Sequence, residues 1–327
     1  MSMAQCLSSH QLKAKINKMK FQNKKDRFFC DTFIDKTINN AKKGDWRNRS
    51  IDVQSDPNNL LIPRVKNAGK VIDDKYVVMH NGIVVGKNTY CGQYSNCLQT
   101  NLGCHEASEE RMFQEVLNDI DDGATMVELG SYWAFYSIWF NKQINNARNF
   151  CIEPDPRCMK VGKENAKLNE VSTMKFIGDN IGSFPLNQCY DIENTLEVYR
   201  KKHKRRKFKE HVKTQNIEYI DLLHCDIQGN EIILLPQISD MLEEKKIKYI
   251  FISSHSDSLH DYCINFLKNK DYRIIASADF EKETFCHDGV IVACPSDLKN
   301  ITETSLGCRR HTPLREKSFS IDEINSQ

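Results

Sequence analysis

Acids recur in this chain directly after short apolar runs, and their positions suggest the chemistry they could do. Glu128 and then Gly130 close the run that starts at Thr125, Glu153 follows Phe150 to Ile152, and Asp179 with Asn180 follows Met174 to Ile177. Asp226 closes the near-continuous run Tyr219 to Cys225. A carboxylate ending a second strand can accept hydrogen bonds from both hydroxyls of a ribose, which is the place of Glu153. Asp179, past a third strand, can accept from an exocyclic amine such as adenine N6; a plain turn carboxylate reads equally well. Asp226, ending a central strand, points into the crevice where such sheets bind ligands. Glu231 opens the following helix, where it could support an acceptor or simply answer the helix dipole. His255, past the run Lys248 to Ser253, has the intrinsic pKa of a neutral-pH base, with a loop histidine as the plain alternative.

The elements that must position these residues follow from periodicity. Thr125 to Leu129 reads as a buried strand, and Tyr132 to Ile144 as a helix with Trp133, Tyr136, Phe140 and Ile144 on one face. Gly130 permits a sharp turn and close approach of a ligand, and the free N–H groups of the helix after it favour an anionic group. Arg157 to Asn169 and Ile232 to Glu244 read as further helices, and Leu259 to Leu267 as another. Tyr272 to Ser277 and Val290 to Cys294 form a strand pair that would make an antiparallel edge. The expected fold is α/β: a doubly wound, mostly parallel sheet with an antiparallel last strand.

Upstream, residues 1–100 read as a partly helical N-terminal extension. Within it, 75–92 carry two β-branched runs around Asn81-Gly82, a strong hairpin signal; the hairpin would lie at the sheet's entrance or act as a lid. Residues 103–121 form an amphipathic helix with Glu106, Glu109 and Glu110 in its first turn. The helix dipole accounts for them, unless His105 and one of these acids face the cofactor or acceptor. The main domain is expected over 101–298 and a polar, poorly ordered tail over 299–327. Residues 195–213 are strongly basic, and 200–213 could bind RNA, but they have little aromatic interleaving, so a solvated helix is the plainer reading.

Composition bounds the rest. The 327 residues are 28% charged and 40% hydrophobic with a net charge of +2, ordinary for a soluble globular chain and without a global pull toward nucleic acid or membrane. No apolar stretch is long enough to span a bilayer, and no secretory signal is visible, so a cytoplasmic protein is expected. The 13 cysteines are scattered and several fall in buried strands, which fits reduced thiols. Cys91, Cys97 and Cys104 with His105 are spaced too widely for a usual zinc knuckle.

Four ordered stretches resemble the FkbM family of class I S-adenosylmethionine (SAM)-dependent methyltransferases: ELGSYWAFYS at 128–137, EPDPRCMKVGKENAKLN at 153–169, IDLLHCDIQGNE at 220–231 and HDGVIVA at 287–293. Together they span roughly residues 105–295. Ala134 stands where the family usually has a second glycine. The resemblance implies a Rossmann-like methyltransferase sheet with SAM across the strand ends. Glu128, Gly130 and Ser131 would line its methionine part, Glu153 the ribose, and Asp179 with Asn180 the adenine. Asp226, His255 and Glu231 would serve the acceptor, a hydroxyl of a sugar, glycan or similar small molecule. Asp226 could act as base, orient the acceptor or ligate a divalent cation. A dehydrogenase would expect a glycine where Tyr132 stands, and a non-catalytic RNA-binding protein of the same fold would use 200–213.

Overall fold

A computed structural model of the chain describes residues 46–90, 95–181 and 207–312. Its centre is an eight-stranded sheet in the order β11-β9-β10-β8-β7-β4-β5-β6. Here β4 is Thr125–Leu129, β5 Arg148–Ile152, β6 Lys175–Ile177, β7 Ile220–Cys225, β8 Ile247–Ser254, β9 Tyr272–Ala278, β10 Gly289–Pro295 and β11 Thr304–Ser305. Strands β6, β5, β4, β7 and β8 are mutually parallel. β10 runs antiparallel to both β8 and β9. The sheet is therefore a doubly wound, Rossmann-like arrangement with one antiparallel strand. The expected antiparallel pair is present, with β10 between β8 and β9. Residues from the polar stretch after Leu298 add β11 beside β9, and Arg309 reaches back to Asp52 at 2.8 Å. Residues 313–327 lie outside the described residues.

Both faces of the sheet are apolar, as continuous hydrophobic strands require. Val127, Leu129, Leu223, Cys225, Ile250 and Ile252 face one core, under the helices Glu231–Gln237 and Asp257–Lys268. Met126, Leu222, Tyr249 and Phe251 face the other, under the helices Phe135–Gln143 and Ala107–Leu117. The expected helix over 232–244 is broken into Glu231–Gln237 and Ser239–Glu243. Pro236 lacks the N–H that would continue the first helix, and Ile238 departs from helical geometry. The helix expected from Tyr132 begins at Phe135, because Tyr132 and Ala134 both take positive φ. Ala134 thus occupies the left-handed position that a glycine would accept without strain.

The hairpin forms β2 (Tyr76–Val78) and β3 (Val84–Gly86), with β1 (Val71–Ile72) alongside, and Gly82 takes φ 88° in its turn. It is anchored to the main domain, with Val77, Met79, Ile83 and Val85 buried in the aromatic core around Phe135 and Trp139. Its free edge is closed by two asparagines at the end of the Pro156–Leu168 helix. Asn169 accepts the Val84 N–H at 2.9 Å and donates to the Val84 carbonyl at 2.6 Å, as a neighbouring strand would. Asn165 accepts the Gly86 N–H at 3.1 Å and donates to the Trp133 carbonyl. The two spaced asparagines of the second stretch therefore tie the hairpin to the helix. Asn169→Ala would leave both Val84 backbone groups without their partners, at a cost of about 2 kcal/mol. Urea unfolding should show that loss in the midpoint; an unchanged midpoint would mean the hairpin is held by its apolar face alone.

Candidate active site

Gly130 sits where β4 turns, and the space around it is dictated by β7. The Asp226 N–H donates to the Leu129 carbonyl at 2.9 Å, and a Cβ on Gly130 would lie 1.8 Å from the Asp226 carbonyl oxygen. With φ 76°, this position admits only glycine. Its close approach is therefore to the neighbouring strand's backbone, where a ligand had been expected.

Beside this crossing, at the carboxyl ends of the strands, lies a cavity of about 460 Å³. It brings together Gly130, Glu153, Asp179, Asn180 and Asp226 from four separate stretches of sequence. Both Glu153 carboxylate oxygens are held by backbone donors, Oε2 by Tyr132 N–H at 3.0 Å and Oε1 by Asp155 N–H at 2.8 Å. Each oxygen keeps a further lone pair for a ligand hydroxyl. Burial raises the Glu153 carboxyl, and these two N–H groups pull it back toward ionisation. Asp179 pairs with His211 at 2.9 Å, on the short helix Lys207–Thr214. Asn230 also lines the cavity, and its Oδ1 is buried without a hydrogen-bond partner. The lining carries four carboxylates (Glu153, Asp155, Asp179 and Asp226) and, among the described residues, no lysine or arginine.

Glu128 and Ser131 are buried and are not part of the lining. Side chains alternate along β4, so Glu128 falls on the face of Met126, away from the cavity, where Ser137 donates to its carboxylate. Burial pushes the Glu128 carboxyl up to about 7, against the opposing effects of His224 and Ser137. Next to it, His224 Nε2 meets Glu109 at 2.8 Å. Burial raises Glu109 and lowers His224, so the contact is a hydrogen bond between a protonated carboxyl and a neutral imidazole. The first-turn acids of the Ala107–Leu117 helix are thus interior groups, and the helix dipole alone does not account for them. Glu110 lies between His105 and His80, which together outweigh burial and hold its carboxyl well below the usual range. Glu106, at the helix start, pairs with Arg49 at 2.6 Å.

At the other side of Asp226, three strand ends meet. His255 Nε2 is 3.2 Å from Asp226 Oδ1 and 3.7 Å from Asp288 Oδ1, and its Nδ1 is 3.7 Å from Glu231 Oε1. The three acceptor-side residues read from sequence are therefore neighbours, joined by Asp288, which was not singled out. Burial by itself would lower the His255 pKa, but Asp288, Glu231 and Asp226 outweigh it and raise the imidazole well above its usual value. These carboxylates favour the charged form of the imidazole for as long as no other cation stands beside them. Burial pushes Asp288 up to about 7, against the pull of His255. Among the described residues, Cys97 and Cys104 are buried and unbridged and belong to no metal-type cluster; Cys91 lies outside them. Residues 182–206, which carry most of the basic segment, also lie outside. No helix among the described residues is long and apolar enough to cross a membrane.

No family model and no curated protein matches the chain. Among solved structures it is similar to the precorrin-6y C5,15-methyltransferase of Geobacter metallireducens GS-15, at 15% identity and a TM-score of 0.39, over 68% of this chain and 100% of that one. A putative rRNA methylase of Clostridium thermocellum matches at 11% identity and 0.40, over 60% and 97%. TrmK of M. capricolum, in complex with S-adenosylhomocysteine, matches at 13% and 0.36, over 65% and 73%. What the site can do is read from its own side chains.

Glu128 gives the fold a measurable pH signature. Its folded pKa of about 7 lies above the ordinary 4.5, so the folded state holds the proton longer than the unfolded chain does. Its contribution to stability falls as pH rises from 4.5 toward 7 and stays low above that. Glu128→Gln should remove this fall, so that its stability relative to wild type improves by about 3 kcal/mol between acid and alkaline conditions. Urea unfolding of both proteins at the two extremes measures it; parallel pH profiles would show that Glu128 ionises freely in the fold.

Proposed function

We propose that this chain is an FkbM-like SAM-dependent O-methyltransferase acting on a hydroxyl of a sugar, glycan or similar polyol. The observation that carries the reading is the charge of the cavity. A dinucleotide or nucleoside triphosphate brings phosphates, which call for basic side chains or an array of backbone N–H groups. This lining offers four carboxylates and neither lysine nor arginine among the described residues. Such a wall suits a nucleoside that carries a cationic centre. The start of the next helix is also displaced to Phe135, so only Gly130 and Tyr132 of the turn reach the cavity. Both features speak against a dehydrogenase.

In this reading, Glu153 receives the two ribose hydroxyls with a carboxylate already oriented by two backbone N–H groups. Asp179 and Asn180 face the base, Asn230 offers its unused Oδ1, and Asp226 stands at the junction between donor and acceptor. Held there, SAM would supply an electrophilic methyl group for the acceptor oxygen and leave as S-adenosylhomocysteine, with the hydroxyl proton released to solvent. The residues' own task is to hold the acceptor oxygen in line and exclude competing water. Asp226, His255 and Glu231, with Asp288, present the polar groups that would bind neighbouring hydroxyls. The glycan or polyol class rests on the family resemblance and on this polar, acidic acceptor side.

Calorimetric titration of the full chain with S-adenosylhomocysteine should show one site and a raised melting temperature, while NAD⁺ should give neither. Glu153→Ala should weaken that binding at least tenfold, about 1.4 kcal/mol. Absence of heat and of a thermal shift at millimolar ligand would overturn the assignment.

A further inference from the structure

We propose that Asp226, His255 and Asp288 bind one divalent cation, with manganese(II) the best match to the donors, and that this cation holds the acceptor hydroxyl. The inference deepens the methyltransferase reading of the same site, but its geometric basis is independent of the donor. The three residues sit at the ends of three adjacent strands, β7, β8 and β10. Because β10 is antiparallel and Gly289 pairs with Ser254, the residue before β10 and the residue after β8 emerge together. One ligand atom from each residue lies within 4.8 Å of the others.

The orientation of the imidazole is that of a metal ligand. Nε2 faces both aspartates, at 3.2 and 3.7 Å, while Nδ1 faces the Glu231 carboxylate at 3.7 Å. A ligating histidine usually turns its second nitrogen toward such a carboxylate, which sets the tautomer and the ring plane. Donors on adjacent corners of an octahedral ion with bonds of ~2.1 Å are roughly 3 Å apart, close to the spacing here. Neither ring nitrogen completes a hydrogen bond, and one N–H on Nε2 could not serve two aspartates in any case.

Glu231 supplies a second, separate observation. Its side chain is 0% exposed; its Oε1 accepts the Ile227 N–H at 2.8 Å and lies 3.7 Å from His255 Nδ1, and its Oε2 has no hydrogen-bond partner. Three carboxylates face this single imidazole, and a cation beside them would compensate the negative charge they carry when ionised. Two carboxylates and one imidazole suit a borderline ion such as manganese(II) better than magnesium, which favours all-oxygen sites rich in water. Three protein ligands leave positions for water and for hydroxyl oxygens of the acceptor. A hydroxyl held there loses its proton more readily, which is the assistance an O-methylation needs. Asp226 would then touch both the donor cavity and the cation.

The test uses the full-length protein, stripped with a chelator and dialysed, titrated with manganese(II) chloride by calorimetry and by electron paramagnetic resonance. One bound ion per chain is expected, with imidazole nitrogen coupling in its pulsed spectrum. Asp288→Asn and His255→Gln should each weaken binding at least tenfold, with circular dichroism and the S-adenosylhomocysteine titration unchanged. No saturable binding at millimolar manganese, or no nitrogen coupling in the wild type, overturns the site, as does wild-type affinity in both folded variants. If S-adenosylhomocysteine binds and manganese does not, this inference alone fails. If manganese binds and S-adenosylhomocysteine does not, the donor assignment fails and the cation site stands.

Discussion

The backbone crossing between Gly130 and Asp226 constrains everything around it. One N–H···O bond joins the two strand ends, and the Asp226 carbonyl fills the space that any side chain at residue 130 would need. The carboxyl end of β4 is therefore locked against that of β7, and Asp226 emerges at a fixed place between two polar regions. On one side is the cavity with Glu153 and Asp179; on the other is the cluster with His255, Glu231 and Asp288. A shift of either strand end would separate these two polar regions.

The same strand ends concentrate negative charge, and the protein handles it differently on each side of the sheet. On the face under the Ala107–Leu117 helix, every first-turn acid finds a partner inside the protein: Glu106 with Arg49, Glu109 with His224, Glu110 with His80 and His105. These ion pairs form within the fold, although Glu110 Oε2 and one ring nitrogen each of His80, His105 and His224 complete no hydrogen bond there. At the strand ends Glu153 is held by backbone donors, Glu231 accepts the Ile227 N–H, and three carboxylates surround His255.

Several parts of this arrangement were legible from residues. The apolar run Thr125–Leu129 is a strand with those bounds, and the run Tyr219 to Cys225 is a strand from Ile220, because near-continuous hydrophobicity suits a doubly covered sheet. Asn81-Gly82 specified its hairpin turn through the positive φ that Gly82 adopts. The helix starting at Phe135 was harder to read. Tyr132 and Ala134 take left-handed conformations that neither residue type signals. Glu128, which the resemblance implied for the methionine part of SAM, lies on the opposite face of β4 from the cavity, where Ser137 donates to it.

What the sequence by itself determined is the alternation of strands and helices and the recurrence of acids at strand ends, because periodicity and local turn chemistry are encoded over a few residues. Which acids meet was decided only by the tertiary structure. Asp288 joins Asp226 and His255 because β10 enters the sheet antiparallel between β8 and β9, a pairing across a long sequence separation with no local signature. Asn165 and Asn169 close the edge of a hairpin some eighty residues upstream for the same reason. The raised basicity of His255 follows from that assembly too, since three carboxylates distant in sequence surround it once the strand ends bring them together.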